Sequence, residues 1–178
     1  SIVYLSRNLQ ILKKNVIAGF NITCVGDERC YSFLPSRDGH TLSDILAKHV
    51  LHHMHPDFNE YTYLDRGSDE RQYCSPGVDL PISSIMRSKY SSYPEYHTSL
   101  DDLENVVTPK GLQGGYNMLK KILETVENNI IPQVNMLCEP QLGKRGLYAD
   151  LSKFNIDHHK IKMIMMDFIS WCDGDHTL

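Results

Sequence analysis

The chain has 178 residues, of which 41% are hydrophobic and 22% are charged, and its formal net charge at pH 7 is -4. This composition is typical of a globular protein, and the length suffices for a domain with a sizeable hydrophobic core. The acidic balance gives no electrostatic signal for nucleic-acid binding, so no nucleic-acid partner is expected.

The five cysteines indicate reduced thiols, because their number is odd and no Cys-x-x-Cys pair occurs. Neither a disulfide framework nor a thiolate zinc site is therefore predicted, and we expect a cytoplasmic location. No stretch approaches the ~20 apolar residues that span a bilayer, and the first residues lack a signal-peptide layout. No membrane partner is expected.

Hydrophobic periodicity predicts alternating helices and strands in the first half of the chain. Leu5, Leu9 and Leu12 recur at helical spacing. Thr41 or Ser43 is a candidate cap for a second helix, which His55-Pro56 would end. The predicted elements are a helix over 3–13, a strand over 16–25, a helix to about residue 53, and strands over 60–64 and 80–86. This alternation favours an α/β fold with helices on the faces of a sheet.

In the second half, Pro109 suits the first turn of a helix predicted over 110–129. Gly114 and Gly115 lie inside that helix and are attributed to close packing, since the flanking sequence lacks the strand and the Lys-Ser/Thr of a phosphate loop. The apolar stripe is expected to contain Leu112, Tyr116, Leu119, Ile122 and Val126.

The sequence character changes after Pro132. Residues 135–148 contain Pro140, Gly143 and Gly146, and they are predicted to form an extended strand-and-loop segment. Asp157 is a candidate cap for a last helix over 160–171. We therefore predict two parts, residues 1–132 and residues 133–178.

Ionisable side chains follow two of the predicted strands, which is where α/β scaffolds usually place their chemistry. Asp69, Glu70 and Arg71 come after the strand over 60–64, and Tyr96 and His97 come after the strand over 80–86. Arg71 could hold a carboxylate in a bidentate fork, while Asp69 or Glu70 could orient a histidine or receive a substrate amine. A solvated charge cluster would also explain this sequence.

His97 has two interpretations, a solvated histidine or a zinc ligand whose tautomer is fixed by Asp101 or Asp102. The role of Asp101 is itself open, because Asp101 and Ser99 could instead cap the following turn. A further histidine group, His49, His52, His53 and His55, lacks the carboxylate of an H-E-x-x-H site and is interpreted as the polar face of a helix.

The motifs around these residues resemble those of the co-catalytic zinc aminopeptidases. That family has a Ser-Asp-His or similar tripeptide, an aromatic residue, a Gly-x-Pro strand and a Tyr-His-Thr-x-x-Asp motif, in this order. The runs SDERQYCSPG, PEYHTSLDDL and CEPQLGKRGLY are similar to a bacterial branch often encoded beside polysaccharide-biosynthesis genes, and the likeness extends over residues 1–178. The matching residues here are Ser68-Asp69-Glu70, Tyr73, Leu80-Pro81, and Tyr96 to Asp101.

The resemblance implies an α/β fold, namely the C-terminal part of a three-layer α/β/α zinc-peptidase-like sheet followed by the start of a small winged-helix-like module. It implies two zinc ions in the full-length protein. His97 would be the last metal ligand, and Asp27 would be a further ligand, although the family's aspartate can also align with Thr23. Asp69, Glu70, Arg71 and Tyr96 would line the substrate pocket.

The implied function is zinc-dependent cleavage of an N-terminal amide bond in a small peptide or aminoacylated substrate by a metal-activated water. The other ligands and the general base would lie upstream, because in the related branch a Pro-Glu-Thr-Ile-Gly motif precedes a segment like Ser1 to Leu5. This fragment alone would then be inactive. Glu70 stands where the family often has His, so a non-catalytic binding domain in a surface-polysaccharide pathway stays an alternative. Pairing of an exposed sheet edge into a homo-oligomer is also left open.

Overall fold

The computed structural model describes residues 1–146 and 158–176. The described residues form a mixed α/β structure with one four-stranded sheet. In chain order the elements are α1 (Ile2–Asn15), β1 (Gly19–Ile22), β2 (Ser32–Leu34), α2 (Leu42–Met54), β3 (Asn59–Glu60), α3 (Glu70–Tyr73), β4 (Ile82–Met86), α4 (Pro109–Asn128) and α5 (His158–Ser170), with short 3-10 turns at Tyr63–Asp65 and Gly143–Arg145.

The sheet has the strand order β1-β4-β2-β3. β1 pairs with β4 in parallel, with Gly19 opposite Ile82, and β2 pairs with β3 in parallel. β4 and β2 are antiparallel, with Phe33 opposite Ile85. The carboxyl ends of β1 and β4 therefore meet at the same edge of the sheet.

Two apolar clusters lie on opposite faces of the sheet, because neighbouring residues of a strand point in opposite directions. Phe33 and Ile85 belong to a cluster that α2 and α4 cover through residues such as Leu51 and Ile122. Their neighbours Leu34 and Met86 belong to a second cluster, which includes Tyr90 and has Cys24, Tyr61 and Tyr96 packed against it. The residues of the candidate site belong to this second face.

The predicted start of α2 is confirmed by its capping box. The Thr41 hydroxyl and backbone N–H both donate to the Asp44 carboxylate, at 2.7 and 2.9 Å. The buried Asp44 also accepts hydrogen bonds from the Ser36 N–H and hydroxyl, at 2.8 and 2.6 Å. This network satisfies donors that an uncapped helix start would leave unpaired.

The close packing predicted for Gly114 and Gly115 is confirmed, and Gly111, which the sequence did not single out, also packs closely against the loop after β1. A Cβ at Gly111 would clash with the Gly26 carbonyl oxygen, and one at Gly115 would lie 2.7 Å from the Val25 carbonyl oxygen. This contact turns Gly111, Gly115, Met118 and Ile122 inward. The predicted apolar stripe was therefore wrong at Leu112 and Tyr116, which are 44% and 60% exposed.

Each of the three predicted strands is shorter than expected, and a fourth strand was missed. The strand predicted over 16–25 is shorter, and β2 was missed because its three buried residues show no alternation. The strand predicted over 60–64 ends at Glu60, because Thr62 and Asp65 form a capping box that starts a 3-10 turn at Tyr63. The three-layer arrangement of the family remains a prediction.

The chain divides into two compact units, Ser1–Glu127 and Asn128–Leu178. In the second unit, an antiparallel bridge joins Gln133 to Asp173, and α5 confirms the predicted last helix. The described part of the segment predicted as strand and loop, 135–146, contains a 3-10 turn and no strand. The candidate cap Asp157 lies outside the described residues.

All five cysteines are unpaired thiols. Among the described residues, no helix has the length and apolarity needed to cross a membrane.

Candidate active site

The parallel strands β1 and β4 bring two loops together at their carboxyl ends. The Arg87 backbone N–H donates to the Cys24 carbonyl oxygen at 2.8 Å, and Ser88 contacts Asp27. Crevices outside the carboxyl ends of parallel strands are the usual ligand sites of open α/β sheets.

Asp27 anchors this junction from a buried position, since it is only 3% exposed. The Ser88 N–H donates to Oδ2 at 2.8 Å, and the Ser88 hydroxyl donates to Oδ1 at 2.7 Å. The Arg29 N–H donates to Oδ1 at 2.9 Å. A carboxylate offers about four lone-pair positions, so these three bonds leave room for about one further partner.

Glu70 is fully buried at the start of α3 and its carboxylate is saturated with hydrogen bonds. Burial raises the pKa of Glu70, but hydrogen bonds from the Ser68 N–H, the Tyr90 hydroxyl and the Gly67 N–H outweigh this effect and leave the pKa below its ordinary value. The five donors are the Gly67 and Ser68 N–H groups (2.8 and 2.9 Å) and the Tyr90 hydroxyl (2.7 Å) on Oε1, with the Asn21 amide (2.7 Å) and the Ser84 hydroxyl (3.3 Å) on Oε2.

The fold therefore places Glu70 in a buried environment and its neighbours Asp69 and Arg71 in exposed ones. Glu70 joins β1, β4 and the Gly67-Ser68 turn, and a substrate contact from its carboxylate would require this network to open. Asp69 and Arg71 on either side are exposed. Asp69 is the N-cap of α3, and its backbone carbonyl accepts from the Gln72 and Tyr73 N–H groups while its carboxylate makes no capping hydrogen bond.

His97 presents an exposed imidazole on the loop after β4. Its ring stacks on the half-buried Tyr96 ring, with a centroid distance of 3.9 Å and an interplanar angle of 17°. Its φ of +60° is unusual for a residue other than glycine and costs about 1–2 kcal/mol. The chain thus holds this histidine in a strained but defined orientation.

Zinc binding by His97 and Asp27 remains a prediction. Neutral imidazole suits zinc, and the exposed ring of His97 is accessible to a metal. However, the described residues contain no group of three or more His, Cys, Asp or Glu side chains placed to hold one ion. The histidines of α2 and of its C-cap make other contacts. His49 and His53 pack ring to ring, His52 meets Phe58 edge-on, and His55 stacks on Tyr31.

A cleft of about 270 Å³ is lined by Cys24, Asp27, Tyr93 and Asp101, among others. Tyr93 is a residue of this cleft that the sequence analysis did not identify. The Tyr93 hydroxyl donates to Asp101 Oδ2 at 3.1 Å and lies 3.7 Å from Cys24 Sγ. Burial, the Cys24 thiol and Asp101 together raise the pKa of Tyr93, so the phenol stays protonated. Asp101 therefore bonds Tyr93, and Asp102 caps a turn by accepting the Glu104 and Asn105 N–H groups.

Comparison with known proteins assigns most of the chain to a family. Residues 1–129 match the family model described as "Domain of unknown function (DUF4910)", which covers more than half of the chain. The chain belongs to this family. After the DUF4910 region, residues 129–178 match a winged helix-turn-helix model.

Two relatives are similar to this chain over nearly its whole length. A Clostridium acetobutylicum protein is 40% identical over 179 residues, covering 100% of this chain and 40% of the relative, and it is provisionally named a polysaccharide biosynthesis protein with an aminopeptidase-like domain. A crystal structure from Clostridium acetobutylicum, provisionally described as a peptidase, matches with a TM-score of 0.77 and 34% identity over 99% of this chain and 38% of that chain. The chain thus spans about two fifths of the length of these relatives.

These findings support the aminopeptidase-like resemblance at the level of family and fold, and the winged helix at the C-terminal end is confirmed as a family match. They also bear on the expectation of no nucleic-acid partner. Helix-turn-helix domains are common DNA-binding modules, so this expectation rests on charge alone.

Proposed function

We propose that this chain is part of a zinc-dependent, aminopeptidase-like hydrolase and that it contributes His97 to the metal site. The observation that carries the proposal is the exposed imidazole of His97, held at a φ of +60° against Tyr96 in a protein related to an aminopeptidase-like protein. Strained non-glycine residues persist where the surroundings hold them, and they are concentrated at functional sites.

In this proposal each residue has a separate role. Tyr96 fixes the plane of the His97 ring, and Asp27 holds the loop after β1 with one lone-pair position left for a metal or a donor. Asp69 and Arg71, both exposed, would contact the amine and the carboxylate of a peptide or aminoacylated substrate. Zinc, when bound, would activate a water and polarise the scissile carbonyl.

The remaining ligands and the general base would come from segments that the longer relatives have and this chain does not include. The lengths of the relatives support this division, because this chain spans only about two fifths of them. We expect the 178-residue chain by itself to lack hydrolase activity.

The test is zinc content and turnover in the longer protein that contains this chain. We expect close to two zinc ions per protein, release of N-terminal amino acids from aminoacyl amides, and loss of both zinc and turnover in His97→Ala. His40→Ala is the matched control, because His40 is also an exposed loop histidine and should change neither quantity. Full zinc loading and full turnover in His97→Ala would overturn the proposal.

A second candidate is a non-catalytic binding domain that serves polysaccharide biosynthesis. The saturated, buried carboxylate of Glu70 favours it, because a position where the resembling family often has histidine is used here for structure. A metal-free longer protein that still binds an amino sugar or an aminoacylated precursor would favour this candidate.

A further inference from the structure

The loop that carries His97 is closed by a side-chain hydrogen bond. Residues 91–106 form turns and bends and contain no helix or strand. Within them, the Tyr93 hydroxyl donates to Asp101 Oδ2 at 3.1 Å, and His97 lies midway between these two residues in the chain. Because no regular backbone ladder holds this loop, side-chain contacts must fix the conformation at His97.

Tyr93 is itself held in place from several sides. Its side chain is buried, and the residue is 8% exposed. The Arg29 guanidinium carbon lies 5.5 Å from the centre of the Tyr93 ring, and the same guanidinium pairs with Glu95 at 2.9 Å. Arg29 belongs to the loop after β1, so this contact joins Tyr93 to the neighbouring loop at the same edge of the sheet.

A continuous series of contacts leads from Asp101 to the His97 ring. Asp101 bonds Tyr93, and the Tyr93 ring meets the Tyr96 ring edge-on, with a centroid distance of 5.6 Å and an interplanar angle of 76°. Tyr96 in turn stacks on His97 at 3.9 Å. His97 has a φ of +60°, a conformation that persists only where the surroundings hold it. These contacts provide such surroundings.

Asp101 does not orient the imidazole by a direct hydrogen bond. Within residues 1–146 and 158–176, neither Asp101 nor Asp102 accepts a hydrogen bond from the His97 ring. The Asp101 carboxylate accepts from Tyr93 instead, and the Asp102 carboxylate caps a turn. Any influence of Asp101 on His97 must therefore pass through the tyrosines.

We propose that Tyr93 and Asp101 are positioning residues, and that their hydrogen bond holds the His97 imidazole in the orientation in which it binds zinc. This inference rests on the proposed function, since it concerns the same metal site. An imidazole that is already held loses less conformational freedom when it binds a metal. Partners that orient a metal ligand are typically worth about 10- to 100-fold in metal affinity.

The first test is zinc titration of the metal-depleted longer protein that contains this chain. We expect Tyr93→Phe and Asp101→Ala each to raise the zinc Kd by about 10- to 100-fold. The double variant should be no weaker than the single ones, because both substitutions remove the same hydrogen bond. Asp101→Asn keeps an oxygen acceptor for the phenol and should retain most of the affinity. Tyr116→Phe is the matched control, since Tyr116 is 60% exposed on α4, and it should leave the Kd unchanged.

The NMR signal of the His97 ring proton Hε1 gives a readout that does not need zinc. In the zinc-free longer protein this signal is assigned by its loss in His97→Ala. Stacking on Tyr96 shields the ring and moves the signal upfield. We expect Tyr93→Phe and Asp101→Ala to move it at constant pH toward the position of an exposed histidine such as His40. A substitution that only lowered the stability of the fold would leave the signal in place.

Failure of this inference and failure of the proposed function give different results. An unchanged zinc Kd and an unmoved His97 signal in Tyr93→Phe would overturn the inference and leave zinc binding by His97 intact. Additive losses of affinity in the double variant would also overturn it, because the two residues would then act separately. Full zinc loading of His97→Ala would overturn the proposed function, and the His97 signal would still decide whether Tyr93 and Asp101 hold the imidazole.

Discussion

At the scale of single residues, Glu70 shows how a buried carboxylate is kept charged. Its five donors come from β1, β4, the Gly67-Ser68 turn and Tyr90, and together they outweigh the cost of burial. The Tyr90 hydroxyl that donates to it has a raised pKa, first because of burial and then because of Glu70, so this donor keeps its proton.

We expect Glu70→Gln to lower the free energy of unfolding by about 2–4 kcal/mol, because the new amide would turn a donor toward one of the existing donors. Urea unfolding measures the effect. Asp69→Asn is the matched control. It should change the free energy of unfolding by less than about 0.5 kcal/mol, because Asp69 is next to Glu70 in the chain but is exposed. Equal effects of the two substitutions would contradict the structural role of Glu70.

Glu70 also predicts how stability depends on pH. Its pKa is lower in the folded state than the ordinary value of 4.5. Its contribution is therefore fully present above about pH 4.5 and is lost as the pH falls through the folded-state pKa. The difference in stability between the unmodified chain and Glu70→Gln should shrink on acidification below pH 4.5. A constant difference down to pH 2 would argue against this linkage.

At the scale of secondary-structure elements, α4 and the loop after β1 depend on a glycine contact. Ala at position 111 would force its Cβ against the Gly26 carbonyl oxygen. We expect Gly111→Ala to lower the free energy of unfolding by about 2–3 kcal/mol, although alanine is the better helix former. Gln113→Ala, on the exposed side of α4, should change it by less than about 0.5 kcal/mol. A stabilising Gly111→Ala would show that the helix and the loop are not in close contact.

The helices α1, α2, α4 and α5 were predictable because their signals are local, whereas the single turn of α3 was missed. Apolar spacing, Pro109 and the Thr41 capping box each lie within the element they define. β2 and the inward face of α4 were not predictable, since a three-residue buried strand has no periodicity and the packing of Gly111 depends on Gly26, which is distant in sequence.

The candidate site was predictable to a similar degree. The motif located Asp69, Glu70 and His97 near strand ends, but it could not reveal which carboxylate the fold would bury. The Asp27–Ser88 contact and the Tyr93–Asp101 pair join residues far apart in the chain or across a loop, and only tertiary packing brings them together.

At the scale of the whole molecule, the chain combines a DUF4910 region with a winged helix-turn-helix match. Acidic and basic side chains are nearly balanced over residues 129–178, and the net charge of the chain is -4. This balance provides little counterion release on DNA. We predict no binding of duplex DNA tighter than about 10⁻⁵ M near 0.15 M salt. Fluorescence anisotropy with a labelled duplex measures this, and submicromolar binding that weakens with salt would show that the second unit is a DNA-binding module.

The most direct measurement of the central claim is anomalous diffraction at the zinc edge from crystals of the longer protein that contains this chain. The proposed function predicts a zinc peak about 2.0–2.1 Å from a ring nitrogen of His97. Zinc peaks bound only by other residues, with the His97 imidazole still in solvent, would contradict it.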